Sequence, residues 1–167
     1  MFKIGDKVVY PMHGAGVIET IEEKEILGCR KKYYVMNMPI GDVRVMVPMD
    51  SVQQVGLREI IDKEYVKEVL EILEKPCENS DISWNRRYRA NMDKIKSGNI
   101  FNVAEVVSGL LVREKEKGLS SGERKMLESA KQMVTSELLL VNDIDADKVS
   151  AYLKKLFNHE AEPVKPA

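Results

Sequence analysis

The stretch "VPMDSVQQVGLRE", residues 47–59, divides the chain into two parts of different character. Short β-rich runs precede it, whereas after it glycines become rarer and apolar residues follow helical spacing. The change is centred on residues 56–58. We therefore predict an N-terminal β domain over residues 1–58 and a C-terminal helical domain over residues 59–160.

Four β-rich runs occupy the first part of the chain: "KVVYP", "GVIETI", "KYYVMNM" and "VRVMVPM". Segments such as "LGCRKK" and "PIGDV" separate them, and their Gly, Pro and Asp residues are typical of turns. This pattern predicts four or five short strands that close into a small SH3-like β-barrel. A barrel followed by helices makes the fold class α+β.

Apolar side chains recur every three or four residues in the second part of the chain, as on the buried face of a helix. Three such faces comprise Val66, Val69, Leu70 and Leu73; Val103, Val106, Val107 and Leu110; and Met126, Leu127, Ala130, Met133 and Val134. Ser120 and Glu123 have the spacing of a capping box ahead of the third face. We predict an all-α bundle, and the charge and proline content of residues 161–167 predicts a frayed tail.

The composition indicates a folded protein whose charge is nearly balanced. With 167 residues, 44% of them hydrophobic, the chain can bury a core. Its formal net charge is −1, so any attraction to nucleic acid must come from a local basic patch. Neither a secretory leader nor a run of eighteen apolar residues is readable, and we expect a cytoplasmic protein that does not enter a membrane.

The residues that usually carry catalysis or bind metals are few and scattered. Cys29 and Cys77 form no CxxC pair. The only histidines that could complete a metal site with them are His13 and His159. Neither a disulfide framework nor a zinc site is indicated, which fits a reducing compartment. No nucleophile arrangement is recognisable. We therefore predict no catalytic residues, no cofactor and no metal.

The stretch "SWNRRYRANMDKIK", residues 83–96, contains the only tryptophan and allows two interpretations. In the first, Trp84, Tyr88, Met92 and Ile95 form one stripe at helical spacing, and Trp84 is simply the first side chain of a core-facing row. In the second, Trp84 belongs to the first helical turn and projects beyond the bundle. The spacing alone does not choose between them.

Basic residues surround this tryptophan and motivate the second interpretation. Within the segment only Asp93 opposes the basic residues Arg86, Arg87, Arg89, Lys94 and Lys96. Such a run is often just a solvated helix face. However, an apolar ring flanked by guanidinium groups also meets the requirements of a wedge at a DNA base step, where cations hold phosphates and the ring contacts an unstacked base.

Four motifs in order resemble the CarD family of bacterial transcription regulators: "FKIGDKVVYPMHGAGVIETIEEKEILG", "VPMDSVQQVGLRE", "WNRRYRANMDKIKSG" and "LSSGERKMLESAKQMVTSEL". The resemblance extends to about Leu140. It implies a Tudor-like barrel that docks on the β subunit of RNA polymerase and a helical domain that contacts promoter DNA at the upstream edge of the transcription bubble. Transcription-repair coupling factors have a related barrel, but this chain lacks helicase motifs and room for a motor.

The resemblance also implies roles for individual residues. The wedge falls on Trp84, and the phosphate-contacting bases fall on Arg86, Arg87 and Arg89, with Lys94 added to the same DNA-binding set. This favours the second interpretation of the tryptophan. The polymerase-binding surface falls on the strand around Lys24 and on the strand that contains Arg44, Val45 and Met46.

Two positions depart from the family pattern. Met46 stands where a basic side chain is common, so the polymerase contact is expected to be weaker or built differently. Ser108 and Gly109 stand where the family often has an Arg-Asp pair, and their effect on packing is left open.

The expected function is stabilisation of the open promoter complex by a protein that docks on polymerase and binds DNA weakly and without sequence preference when alone. We expect a nucleoid-associated monomer. The alternative is a protein–protein adaptor that uses the barrel and the helices without touching DNA, with Trp84 in the core.

Overall fold

The computed structural model describes residues 1–75 and 82–158 as an antiparallel sheet followed by helices. The strands are β1 (Lys7–Tyr10), β2 (Gly14–Ile26), β3 (Cys29–Met38), β4 (Val43–Pro48) and β5 (Arg58–Glu59). The helices are α1 (Val52–Val55), α2 (Val66–Glu74), α3 (Trp84–Lys96), α4 (Ile100–Glu116), α5 (Ser121–Leu140) and α6 (Ala146–Phe157), with short 3-10 turns at Met49–Ser51 and Lys63–Tyr65. The predicted α+β class is confirmed. Cys77, His159 and the predicted tail lie outside the described residues.

The strand order in the sheet is β4-β3-β2-β1-β5. The first four strands form an antiparallel meander, and the chain then returns so that β5 pairs with the free edge of β1. In this last pair Glu59 lies opposite Val8. The sheet therefore extends one residue beyond the domain boundary that we predict after residue 58.

A compact apolar cluster fills one face of the sheet. It consists of Val8, Ile18, Tyr34, Met36, Val47 and Leu57, all buried. Alternation along the strands explains the set apart from Leu57, which directly precedes β5, since every second side chain of a strand points to the same face. Val45 packs against the cluster from β4, two positions before Val47.

The helical part has its own core, and the sequence periodicity locates most of it. All four predicted side chains of α4 are buried, as are Val66, Val69 and Leu73 of α2. The predicted capping box at Ser120 and Glu123 is present at the start of α5. Helix α4 packs against α2, α3 and α5 and is therefore the central element of the bundle.

Ser108 fills a structural position in this bundle. It lies on α4, is buried, and its hydroxyl donates a hydrogen bond to the carbonyl oxygen of Lys75, the C-cap residue that follows α2. The last carbonyls of a helix have no partner within the helix, so a side-chain donor is stabilising there. The departure from the family pattern at Ser108 thus has a packing role, which the sequence left open.

The sheet and the bundle meet where β2 packs against α5. The backbone N–H of Ala15 donates to Ser136 Oγ at 2.8 Å, and this oxygen donates in turn to the carbonyl of Met133. Gly14 has a φ of 113°, and a Cβ added there would lie 2.9 Å from Ser136 Oγ. Glycine is therefore required for this close approach.

A second contact between the two parts is ionic. Arg58 of β5 binds the carboxylate of Glu137 of α5, which is only 2% exposed. The same carboxylate accepts the backbone N–H of Ile61 at 2.9 Å, and Arg58 Nε donates to the carbonyl of Gly98 at 2.9 Å. The segment that joins the sheet to the bundle is thus fixed to α5. Within residues 1–75 and 82–158, none of the helices combines the length and apolar content needed to cross a membrane.

Candidate functional site

Helix α3 begins at Trp84 because Ser83 caps it. The Ser83 side chain accepts the backbone N–H of Arg86 at 3.4 Å, and its extended backbone directs the chain into the first turn. Trp84 is 43% exposed, whereas Ile95, the last member of the predicted stripe, is buried in the helical core. The stripe therefore runs from the protein surface at Trp84 into the core at Ile95.

The indole of Trp84 has two defined contacts. Its ring stacks on Tyr88 with a centroid distance of 4.9 Å and an interplanar angle of 19°. Its Nε1–H donates a hydrogen bond to Ser120 Oγ, at the start of α5, over 3.1 Å. The ring is therefore held in one orientation while a large part of its surface stays in contact with solvent.

The three predicted arginines of α3 differ in their surroundings. Arg86 and Arg89 are exposed and, among the described residues, their side chains form no hydrogen bond or ion pair. Arg87 instead points into the bundle, where its Nε donates to Glu123 Oε2 at 2.9 Å. One of its terminal nitrogens also donates to the carbonyl of Ile82. The structure thus presents two of the three guanidinium groups to solvent.

Glu123 is 2% exposed and interacts with two helices. It completes the capping box at the start of α5 and binds Arg87 of α3. Burial would raise the pKa of its carboxyl, but the hydrogen bond and charge of Arg87 oppose this, together with the Ser120 backbone and the charge of Arg113. The net effect holds the pKa below its ordinary value, so the carboxylate is ionised at neutral pH. Arg87 and Glu123 therefore form a charged pair that fastens α3 to α5.

Lys94 lies on α3 about two turns after Arg87 and is half-exposed. Its Nζ is 3.4 Å from Glu105 Oε1 of α4, and both side chains are well exposed to water. Exposed pairs of this kind contribute about 0–1 kcal/mol and exchange readily. Lys94 is therefore available to a stronger anionic partner.

Two further cations near the start of α5 were not predicted from the sequence. Arg124 and Lys125 are exposed residues near the start of α5, directly after Glu123. Lys125 lines, with Tyr88 and Met92, a surface groove of about 210 Å³ between α3 and α5. The capping box gives the start of α5 in the sequence, but only the tertiary packing brings Lys125 into one groove with Tyr88 and Met92 of α3.

The predicted polymerase-binding strand β4 is an edge strand. Within the described part of the chain it pairs only with β3. Val45 packs on the sheet core, whereas Met46 is half-buried and lies on the opposite face. Arg44 is exposed and binds Glu19 Oε2 at 3.1 Å.

The structure does not bring all predicted polymerase-binding residues together. Lys24 lies opposite Lys31 in the long β2–β3 hairpin, whereas Arg44 lies opposite Asn37. These partners are six residues apart on β3, which corresponds to roughly 20 Å. The register nevertheless places Lys24, Arg44 and Met46 on the same face of the sheet, with Met46 between the two cations.

No group of three or more His, Cys, Asp and Glu side chains that could hold a metal ion occurs within residues 1–75 and 82–158. The site instead combines an oriented aromatic ring with solvent-facing cations, which suits binding to a polyanion.

Comparisons with known proteins cover both parts of the chain. Residues 2–61 match the family model described as "CarD-like/TRCF RID domain", and residues 68–154 match "CarD, C-terminal domain". A relative from Bacillus subtilis (strain 168), "Putative transcription factor YdeB", is 40% identical over 152 residues, which are 91% of this chain and 99% of that protein.

Two solved domains from Myxococcus xanthus are similar to the N-terminal part. The 72-residue N-terminal domain of CarD is 32% identical with a TM-score of 0.32, covering 35% of this chain and 79% of that one. The CdnLNt structure is 44% identical with a TM-score of 0.33, covering 38% and 89% respectively. Both family models and the full-length relative agree, and CarD-family proteins are transcription factors rather than enzymes. The chain belongs to the CarD family.

Proposed function

We propose that this protein docks on the β subunit of RNA polymerase through its sheet and stabilises the open promoter complex through the start of α3. Trp84 acts as a wedge at the upstream fork of the bubble, and nearby cations bind the DNA backbone. The proposal concerns a structural effect on promoter DNA and requires no chemical step.

The observation that carries the proposal is the exposed, oriented indole of Trp84 beside two solvent-facing arginines. Trp84 stacks on Tyr88 and keeps much of its ring surface accessible. Apolar side chains inserted at a base step partly unstack it, which takes a few kcal/mol in an intact duplex. At the edge of a bubble the step is already partly unstacked, so a wedge binds there more favourably than elsewhere.

The cations divide into two roles in this proposal. Arg86 and Arg89, with the weakly paired Lys94, contact phosphates. Arg87 is bound to Glu123 and holds α3 against α5, so that the wedge and the phosphate contacts keep a fixed geometry. Because the whole chain has a net charge of −1, this patch gives weak DNA binding by itself.

The match of residues 2–61 to the family model "CarD-like/TRCF RID domain" supports a polymerase contact through the sheet. Strand β4 offers free backbone groups on its outer edge, and a partner strand can pair with such an edge. Arg44 and Met46 project from this strand on one face, with Lys24 further along the same face. Val45 contributes its backbone, since its side chain packs inward.

Docking and DNA contact together favour the open state. A protein can raise the population of the open complex only if it binds that complex more tightly than the closed one. Docking on polymerase supplies a high local concentration near the fork, so a patch of two or three cations is sufficient. The wedge supplies the difference between the two states, because its site forms only when the fork opens.

The proposal is tested by the lifetime of open promoter complexes formed by purified polymerase with and without the full-length protein. Lifetimes should increase with the protein, and Trp84→Ala should remove most of the increase while binding to core polymerase and to the separated β-subunit lobe is retained. If the protein binds polymerase but Trp84→Ala prolongs the lifetime as fully as the original protein, the adaptor alternative replaces the wedge.

A further inference from the structure

We propose that Ser120 is a positioning residue for Trp84, fixing which edge of the indole faces the DNA. The inference rests on the proposed function and deepens it. The indole Nε1–H donates to Ser120 Oγ at 3.1 Å, although the two residues are 36 positions apart and lie on different segments of the bundle. Ser120 is therefore more than the N-cap of α5.

The hydroxyl of Ser120 uses all of its hydrogen-bonding capacity. A serine hydroxyl has one donor and two acceptor positions. Ser120 Oγ accepts the backbone N–H of Glu123 at 3.2 Å and the indole N–H of Trp84, and it donates to Glu123 Oε1 at 3.3 Å. The capping interaction thus orients the hydroxyl so that a lone pair faces the indole.

The first turn of α5 also limits the movement of the stacked rings. A Cβ added to Gly122 would lie 3.9 Å from Trp84 Cζ2 and 3.6 Å from Tyr88 Cε2, so the backbone of this turn is close to the edges of both rings. Tyr88 covers one face of the indole and Ser120 binds its N–H edge. The opposite parts of the ring are left to face solvent.

The bonds form a circuit between two helices. Trp84 binds Ser120, Ser120 binds Glu123, and Glu123 Oε2 binds Arg87, which lies three residues after Trp84 on α3. The buried ion pair of Arg87 and Glu123 holds the helices together. The bond from Ser120 to the indole is more exposed, so it can be removed while the helix pairing remains.

The expected consequence is pre-organisation. Without the hydroxyl, the indole can turn about its side-chain torsions and leave the stack on Tyr88, and docking at the fork must then select the productive orientation. A hydrogen bond of ordinary net strength corresponds to a factor of about 2–10 in such a population. The gain in open-complex lifetime should fall by the same factor when the bond is lost.

The test uses Ser120→Gly, because glycine serves as an N-cap nearly as well as serine but provides no acceptor for the indole. Ser120→Thr keeps the hydroxyl and should restore the original behaviour. Asn99→Gly is the matched control, since Asn99 caps α4 with its side chain and has no bond to Trp84. The single tryptophan of the chain reports its own surroundings by fluorescence.

Ser120→Gly should shift Trp84 emission to longer wavelength, increase its quenching by acrylamide, and reduce the gain in open-complex lifetime about 2–10-fold. Ser120→Thr and Asn99→Gly should change none of these values. Unchanged fluorescence and quenching in a folded Ser120→Gly protein would overturn the inference.

A double-mutant cycle with Trp84→Phe provides a second measurement that does not depend on fluorescence or on one variant. Phenylalanine retains an aromatic ring for the stack but has no N–H for Ser120. If Ser120 acts through the indole, adding Ser120→Gly to Trp84→Phe should cause no further loss of open-complex lifetime, whereas additive losses overturn the inference.

Failure of the inference can be separated from failure of the proposed function. If Trp84→Ala strongly shortens open complexes but Ser120→Gly does not, only the positioning role is overturned. If Trp84→Ala has no effect on open complexes, the proposed function itself fails and the positioning role fails with it.

Discussion

Arg58 and Glu137 join the sheet to the helical bundle through two parallel hydrogen bonds of 2.8 and 2.7 Å between guanidinium and carboxylate. Such bidentate geometry fixes relative orientation as well as distance. Together with the contact between Ala15 and Ser136, the pair therefore holds the proposed polymerase-binding surface and the proposed DNA-binding end of α3 in a defined relative orientation.

Removal of Arg58 tests the contribution of this pair to stability. Arg58→Ala leaves the carboxylate of Glu137 buried with only the N–H of Ile61 as a remaining donor in the described network. We expect the free energy of unfolding to fall by about 2–4 kcal/mol, since Arg58 is partly exposed and a fully buried pair loses somewhat more. Denaturant unfolding of the full-length protein measures the change. Arg44→Ala is the control and should cost at most about 0.5 kcal/mol, because Arg44 and Glu19 form a surface pair.

Replacement of Trp84 separates binding from stability. Because Trp84 is 43% exposed, Trp84→Ala should lower the free energy of unfolding by about 1–2 kcal/mol, well below the 3–5 kcal/mol typical of a fully buried tryptophan. Ile95→Ala, on the same helix but in the core, should cost about 2–5 kcal/mol. Thermal or denaturant melts compare the two. A larger loss for Trp84→Ala than for Ile95→Ala would place the indole in the core and contradict the wedge.

The salt dependence of DNA binding counts the phosphates contacted. With Arg86, Arg89 and Lys94 each neutralising one phosphate, the slope of log affinity against log salt should be roughly −3 for duplex DNA. The double variant Arg86→Ala/Arg89→Ala should reduce the slope to about −1. Fluorescence anisotropy with labelled DNA at several salt concentrations gives both values. A slope that does not respond to the double variant would remove these arginines from the interface.

Met46→Arg should keep the sheet folded and tighten binding to the β-subunit lobe, mainly at low salt. The side chain lies on the face opposite the sheet core, and a charge at the rim of an interface acts largely through screened long-range attraction. Val47→Arg is the matched control, since Val47 is only 1% exposed in that core, where an arginine would bury an unpaired charge and should unfold the domain. Circular dichroism of both variants shows whether the sheet is folded, and a titration with the β-subunit lobe measures the binding affinity. Intact structure with unchanged affinity for Met46→Arg would exclude this face from the contact.

Acid should weaken the pairing of α3 with α5. The pKa of Glu123 is lower in the folded protein than its ordinary value of 4.5, so the unfolded chain binds more protons in this range. The stabilisation from its ionised form is complete above about pH 5 and is lost as the pH falls below 4.5 through the lowered pKa. Unfolding measured from pH 7 to pH 3 should show a steeper loss of stability in the original protein than in Glu123→Gln. Parallel curves would indicate that Glu123 is not the group responsible.

Local patterns in the sequence predicted the elements well, because strand runs, helical periodicity and the Ser120 capping box act over a few residues. The contacts that define the site join residues far apart in the chain and could not be read in this way. Trp84 and Ser120, like Arg87 and Glu123, are 36 positions apart. One feature of the sequence does indicate the inward position of Arg87. It lies three residues after Trp84, on the same side of the helix as the stripe, whereas Arg86 and Arg89 lie on other sides.

Only three residues separate β5 from the 3-10 turn at Lys63–Tyr65, and the backbone N–H groups of Ile60 and Ile61 bind Lys7 and Glu137. A junction so short and so well bonded restricts movement of the sheet relative to the helical bundle. Under the proposed function, the docked protein would therefore hold Trp84 at a fixed position relative to the polymerase contact. A displacement of the fork by one base pair moves it about 3.4 Å and turns it by roughly 35° around the duplex. A Trp84 held at a fixed position does not follow that movement. The same protein would therefore stabilise open complexes to different extents at promoters whose bubbles end at different base pairs.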